Sequence, residues 1–354
     1  MTDTKRWGMI ARVVLGAVVL AVAWAPLARA QDPTKVVGPE KCKDCHKAAY
    51  AAWMASTHGK TFREFQHPKK ADSILAAMGE RSARRGICAD CHYTQQARAG
   101  SRHARAIAGV SCESCHSGAK DWIDVHNDFG KKVAGKKATA ATETAAHRSA
   151  RLAETAKLGM IRPDQPFLLA TNCLQCHTVP NEKLVNTGLH TAGSDFELVA
   201  WLNGEVRHDF QKSNDKVNRA AARDYDPQQH HRVLYVVGRI AQLEQALRAL
   251  AKATGPGRFA TAMTKRVNDA VSELKTIEAK APGTAAGLGP IVAAAAAAAA
   301  PLKPNQSAAL DKAADTIHAK GAAYAASLDG STLAGIDPLL PAPSAYKGTP
   351  YPGQ

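Results

Sequence analysis

Gly109-Val110-Ser111-Cys112-Glu113-Ser114-Cys115-His116 decides how the chain is read. Its last five residues repeat a Cys-x-x-Cys-His pattern found at Cys42–Cys45–His46, Cys88–Cys91–His92 and Cys173–Cys176–His177. The four runs use all 8 cysteines. Each reads as a haem c attachment site, with two thioethers from the cysteines and the adjacent histidine as proximal iron ligand. The rival readings are poorer. Zinc needs a second half-site at fixed spacing and does not require a histidine after every second cysteine. Disulfides between positions i and i+3 are weak staples, and a redox dithiol would need only one pair. Four covalently attached haem c groups are therefore expected.

Lys5, Arg6 and Arg12 precede an apolar run from Val13 to Leu27, and Ala28-Arg29-Ala30 has the form of a cleavage site. Residues 1–30 read as a secretory signal peptide, and the apolar run is short for a bilayer span. No stable membrane span is expected after cleavage. Covalent haem attachment takes place outside the cytoplasmic membrane, so signal and motifs agree on the periplasm. The formal charge is +15. It falls to +12 without the leader, and the two carboxylates of each of four haems would bring it near +4. Much of the basic excess thus compensates haem carboxylates, and the rest would steer an acidic redox partner. A nucleic-acid role is excluded by compartment and by the lack of an aromatic-basic motif. Aromatic residues make up only 5%, few for an ordinary core, but porphyrins would fill the interior.

The fold class expected is mainly α with extensive loops: a multihaem cytochrome c domain of short helices, 31–225, then an antiparallel helical bundle, 226–330, and an extended Pro-rich tail, 331–354. The spacing predicts a helix from Lys47 to His58 and an exposed helix or insert over 131–157. Asp226-Pro227 marks an N-cap and first-turn proline, with Val233, Val237, Ile240, Leu243, Leu247 and Leu250 at helical spacing behind it. Phe259 to Ile277, residues 288–300 with Ala293–Ala300, and Asn305 to Leu328 give the other bundle helices.

Of 14 histidines, ten are not proximal: His58, His67, His103, His126, His147, His190, His208, His230, His231 and His318. Distal ligands are expected among them, since only Met54, Met78, Met160 and Met263 remain after processing. Bis-histidine ligation implies low potentials.

Lys41-Cys42, Cys45-His46-Lys47, Trp53 and His58 resemble the opening of the tetrahaem cytochrome c-554 family. A second site follows, then Gly109–His116 with His126 ten residues on, then an isolated fourth site. The resemblance covers about residues 38–180, and family proteins are electron carriers. It implies that His58 caps the iron of His116 and His126 that of His46. For the fourth site it implies a downstream ligand, His208 or His190. The best-known member of the family leaves the second iron five-coordinate; here two downstream histidines exist for one expected vacancy, and one of them is available for the iron at His92.

The expected function is a periplasmic carrier passing electrons between a donor and an acceptor protein, rather than an enzyme. The alternatives are an oxidoreductase acting on a small nitrogen or sulfur compound at one open haem, or a redox subunit docked or self-associated through the bundle. Arg84, Arg85 and Arg207 are candidate propionate partners, and Trp53, Trp122 and Trp201 candidate packing residues against porphyrin edges.

Overall fold

The computed structural model describes residues 32–64, 68–98, 100–101, 103–204, 206, 226–298 and 306–348. The leader, His67, Arg207 and His208 lie outside them.

The first half is short helices on long loops, as expected. They are α1 Glu40–Lys43, α2 Lys47–Ala55, α3 Thr57–Lys60, α4 Pro68–Met78 and α5 Gly86–His92. A two-stranded antiparallel hairpin, β1 Thr94–Gln96 and β2 Arg105–Ala108, then leads to α6 Cys112–His116, α7 Ile123–His126 and α8 Ala145–Lys157. The helix expected through His58 is two helices. Ser56 sits in the extended region at ψ 163, and its side chain accepts from the N–H of Gly59. A serine hydroxyl that caps a new helix competes with continuation of the old one. His58 thus lies in the first turn of α3, on a different axis from Trp53. Within 131–157 only α8 is helical.

The second half begins with α9 Pro166–His177, α10 Glu182–Asn186 and α11 Leu198–Leu202, followed by α12 Pro227–Leu250, α13 Arg258–Lys280, α14 Ala285–Ala298 and α15 Ser307–Ser327. The Asp226 carboxylate accepts from the N–H groups of Gln228 and Gln229, at 2.7 and 3.0 Å, and Pro227 occupies the first turn, so α12 starts where its sequence signals place it. Helix α12 is the hub, packed by α13, α15, α9, α11 and the 3-10 segment Ser331–Leu339. Val236, Val237, Ile240, Leu243 and Leu247 have no exposed surface. A helix buried on nearly every side is the centre of a core rather than one wall of a bundle.

Two expectations change here. Phe167, Ala170, Leu174, Phe196, Leu198 and Val199 belong to the same apolar cluster as α12–α15. Packing therefore does not divide the chain at 225/226: the helix carrying the fourth motif shares the bundle's core. The tail is not extended from 331 either. Residues 331–339 form a 3-10 helix with Leu333 and Ile336 fully buried, held by a two-pronged Arg232–Asp337 pair at 2.6 and 2.7 Å. No single described helix is long and apolar enough to cross a membrane; α13 and Pro282–Ala298 meet both conditions only together, with a bend of 119° between them.

Candidate haem sites

In a helix, positions i, i+3 and i+4 share a face. A Cys-x-x-Cys-His run in helical conformation therefore turns both thiols and the imidazole the same way. Three motifs are built so: α5, α6 and α9 each end on the motif histidine. The first motif crosses from α1 into α2, with His46 at the N-cap position. The third is held most firmly. Ser111 and Ser114 form a reciprocal cap on α6, and Thr94 Oγ1 donates into the same turn. Glu113, without exposed surface, accepts backbone N–H bonds from Val37, Gly38 and Ala119 at 2.9, 2.7 and 2.8 Å.

The histidines meet in pairs across the sequence. His46 faces His126 with ring centroids 5.8 Å apart, His58 faces His177 at 6.1 Å, and His92 faces His190 at 6.4 Å. An imidazole nitrogen lies about 2 Å from a bound metal, so two rings sharing one ion have centroids about 6 Å apart. The three separations fit that arrangement. The pairing of His126 with His46 is the one implied by the family resemblance. The ring of His58, implied by the resemblance for the iron of His116, lies against that of His177 and stacks on Trp201 at 6.3 Å. His190 takes the place beside His92, one of the two positions left open for it.

Ring orientation supports the same use. The Nδ1 atoms of His116, His126, His177 and His190 are 2.8, 3.1, 2.7 and 2.8 Å from Ile161 O, Ile123 O, Ser194 Oγ and Thr191 O. An imidazole that gives its Nδ1–H to the protein keeps Nε2 for a metal. Burial pushes the pKa values of His92, His116, His126 and His177 down, that of His177 to about 3. Burial thus favours the neutral form a metal ligand requires.

Two further observations test whether haem suits these residues. The buried indole N–H of Trp122, whose ring lies 5.5 Å from that of His126, has no acceptor among the described residues. A haem carboxylate would supply one. The thiols also approach in pairs, Cys42 with Cys112 and Cys91 with Cys176, so the first and third motifs are neighbours, as are the second and fourth. Among the described residues no three His, Cys, Asp or Glu side chains gather into a metal site of their own. The residues fit haem, which supplies one-electron iron chemistry when bound. Backbone carbonyls and the Ser194 hydroxyl would orient the imidazoles that hold it, and burial would keep those imidazoles neutral.

Four of the remaining described histidines have other surroundings. His103 is exposed, His147 bonds Glu143 at 2.7 Å, His231 bonds Asn203 at 3.2 Å, and His318 sits 3.1 Å from both oxygens of Glu244. Arg84 donates to Phe62 O and lies over the Phe62 ring. Glu113, the Ile161 carbonyl and Ser194 were missed by sequence reasoning. Only Glu113, inside a motif, carried a visible signal.

Attachment motifs on helix ends, with distant histidines facing the motif histidines, define a multihaem c-type cytochrome. Residues 41–117 match the family described as cytochrome c554 and c-prime, and over that segment the chain is similar to its multihaem cytochromes. It is similar to cytochrome c-554 of Nitrosomonas europaea, 24% identical over 149 residues covering 40% of this chain and 56% of that protein. It is also similar to the dissimilatory sulfite reductase MccA of Wolinella succinogenes, 48% identical over 40 residues, 11% of this chain and 6% of that protein. The matched region spans little more than half of the one relative and a small fraction of the other. No solved structure matches significantly.

Proposed function

We propose that the protein is a periplasmic tetrahaem electron carrier, exported by its residue 1–30 signal and exchanging electrons with donor and acceptor proteins. The observation that carries this reading is the set of three facing histidine pairs. Two imidazoles on each of those three irons would leave no position for a substrate there, which suits transfer of electrons rather than chemistry on a ligand. His208 remains a proposed axial ligand, alongside His58, His126 and His190. The paired thiols suggest a cluster in which the first and third sites, and the second and fourth, exchange electrons directly. The basic surplus would bring in acidic partners.

The test is the holoprotein's spin state. Mass spectrometry is expected to find four attached haems. Electron paramagnetic resonance should find low-spin ferric signals, with little carbon monoxide binding on reduction. Rapid carbon monoxide binding at one haem with a high-spin signal would instead favour an oxidoreductase acting on a small nitrogen or sulfur compound. The 40-residue similarity to a sulfite reductase is what keeps that second reading in view.

A further inference from the structure

The bundle lies outside the segment matched to the family, yet one of its side chains reaches the haem sites. Arg266, on α13, donates from Nε and Nη2 to Ala192 O at 3.3 and 3.2 Å, and from Nη2 to Ser194 O at 2.8 Å. Gly193, between those carbonyls, has φ +84, and a Cβ there would stand 2.3 Å from Arg266 Nη2. The guanidinium therefore lies directly on this peptide, at a position that only glycine fills without strain. Among the described residues no carboxylate forms an ion pair with Arg266. Partial burial of a guanidinium costs free energy unless its hydrogen bonds replace those to water. Here the replacements are carbonyls of one loop.

That loop serves two sites. At its start the His190 ring faces His92, with Nδ1 2.8 Å from Thr191 O. At its end Ser194 Oγ lies 2.7 Å from Nδ1 of His177, and the Ser194 N–H donates to His177 O at 2.9 Å. Five residues thus hold a facing histidine for the second motif and the orienting hydroxyl for the fourth, and the side chain clasping them comes from the bundle.

We infer that Arg266 is a positioning residue for two haem sites at once, which makes the C-terminal bundle a working part of the redox centre rather than an appended module. This rests on the haem reading above. The planar fork of arginine bonds two carbonyls in fixed geometry, whereas lysine offers a single mobile point charge.

The experiment uses the full-length holoprotein with Arg266→Gln, Arg266→Lys, His190→Ala and, as a bundle control, Arg239→Gln. Haem number is read by mass spectrometry, spin state by electron paramagnetic resonance, and potentials by spectroelectrochemical titration. Both Arg266 variants are expected to keep the wild-type haem number and helicity. They should show part of the high-spin signal of His190→Ala, with two midpoint potentials displaced and the others unmoved. Arg239→Gln should match wild type. Wild-type spectra and potentials in both Arg266 variants would overturn the inference. So would the same changes in Arg239→Gln, or displacement of every potential together with lost helicity. If the wild type carried no attached haem, the haem reading itself would fail instead.

Discussion

The carboxylate of Glu113 accepts a hydrogen bond from the backbone N–H of Gly38 at 2.7 Å, joining the third motif to the segment that leads into the first. Its other oxygen accepts from Val37 and Ala119. A buried carboxylate is tolerated only when its oxygens are satisfied, and here three backbone donors do so. Glu113→Gln keeps the shape but turns an amide N–H₂ toward a backbone N–H. The expected loss is about 3 kcal/mol, seen as a lower denaturant midpoint at constant m-value. An unchanged midpoint would mean that the first and third motifs are held together by something else.

Gly109 is the close approach that brings α3 to the motif hairpin. A Cβ there would lie 2.2 Å from His58 O and 2.7 Å from Thr61 Oγ1. Gly109→Ala must therefore displace α3, and His58 with it, from its present position beside His177. We expect one low-spin signal to become partly high-spin with the haem number unchanged. The effect should be weaker than that of His58→Ala at the same haem. A variant indistinguishable from wild type by electron paramagnetic resonance would show that α3 yields without moving its histidine.

The parts of this structure legible in sequence are those written in local chemistry. Four motifs announce themselves because thioether attachment fixes both residue types and spacing. Helix α12 announces itself through Asp226-Pro227 and its periodic apolar residues. The pairing of histidines is different: His58 is two residues past the serine that ends α2, and a local capping choice at Ser56 decides where α3 points. No periodicity encodes that. Family resemblance implied His126 for the iron of His46, whose ring it faces, and His58 for the iron of His116; the His58 ring lies against that of His177. That Phe167 and Leu174 share the bundle core was not legible, because they sit in a helix whose motif advertises haem while its other face enters that core. Arg266 and Ser194 left no trace in the pattern, since each acts through backbone carbonyls or one hydroxyl that tertiary structure alone brings near.

Acid stability should report on the ring of contacts around His126. The Arg151 fork, at 2.7 and 2.6 Å, together with His147 holds the Glu143 carboxyl down at about 2, against an ordinary value of 4.5. Arg151 also donates to His126 O at 2.9 Å. A depressed carboxyl stabilises the fold fully above its ordinary value, and that contribution is lost as pH falls from about 4.5 toward 2. Glu143→Gln should therefore cost about 2 kcal/mol at neutral pH and flatten the fall in stability across that window. Denaturant titrations at a series of pH values would show it. Parallel curves for the two proteins would remove Glu143 from the acid response.

Trp122 gives a prediction whose sign depends on the haem. Its indole N–H is buried without an acceptor among the described residues, and its ring stands edge-on to His126. An unmade buried hydrogen bond costs about 1–3 kcal/mol. In chain produced without haem attachment, Trp122→Phe keeps the ring, deletes the orphaned donor, and should leave stability unchanged or raise it. In the holoprotein the same change would strip a donor from a haem carboxylate. That carboxylate's charge would be less well neutralised, reduction would become harder, and one midpoint potential should move negative while stability falls. Denaturation of both forms, with potentiometry of the second, separates the cases. An identical effect of Trp122→Phe in both forms, with all potentials unmoved, would reduce Trp122 to a packing residue and take away one of the two supports for haem beside His126.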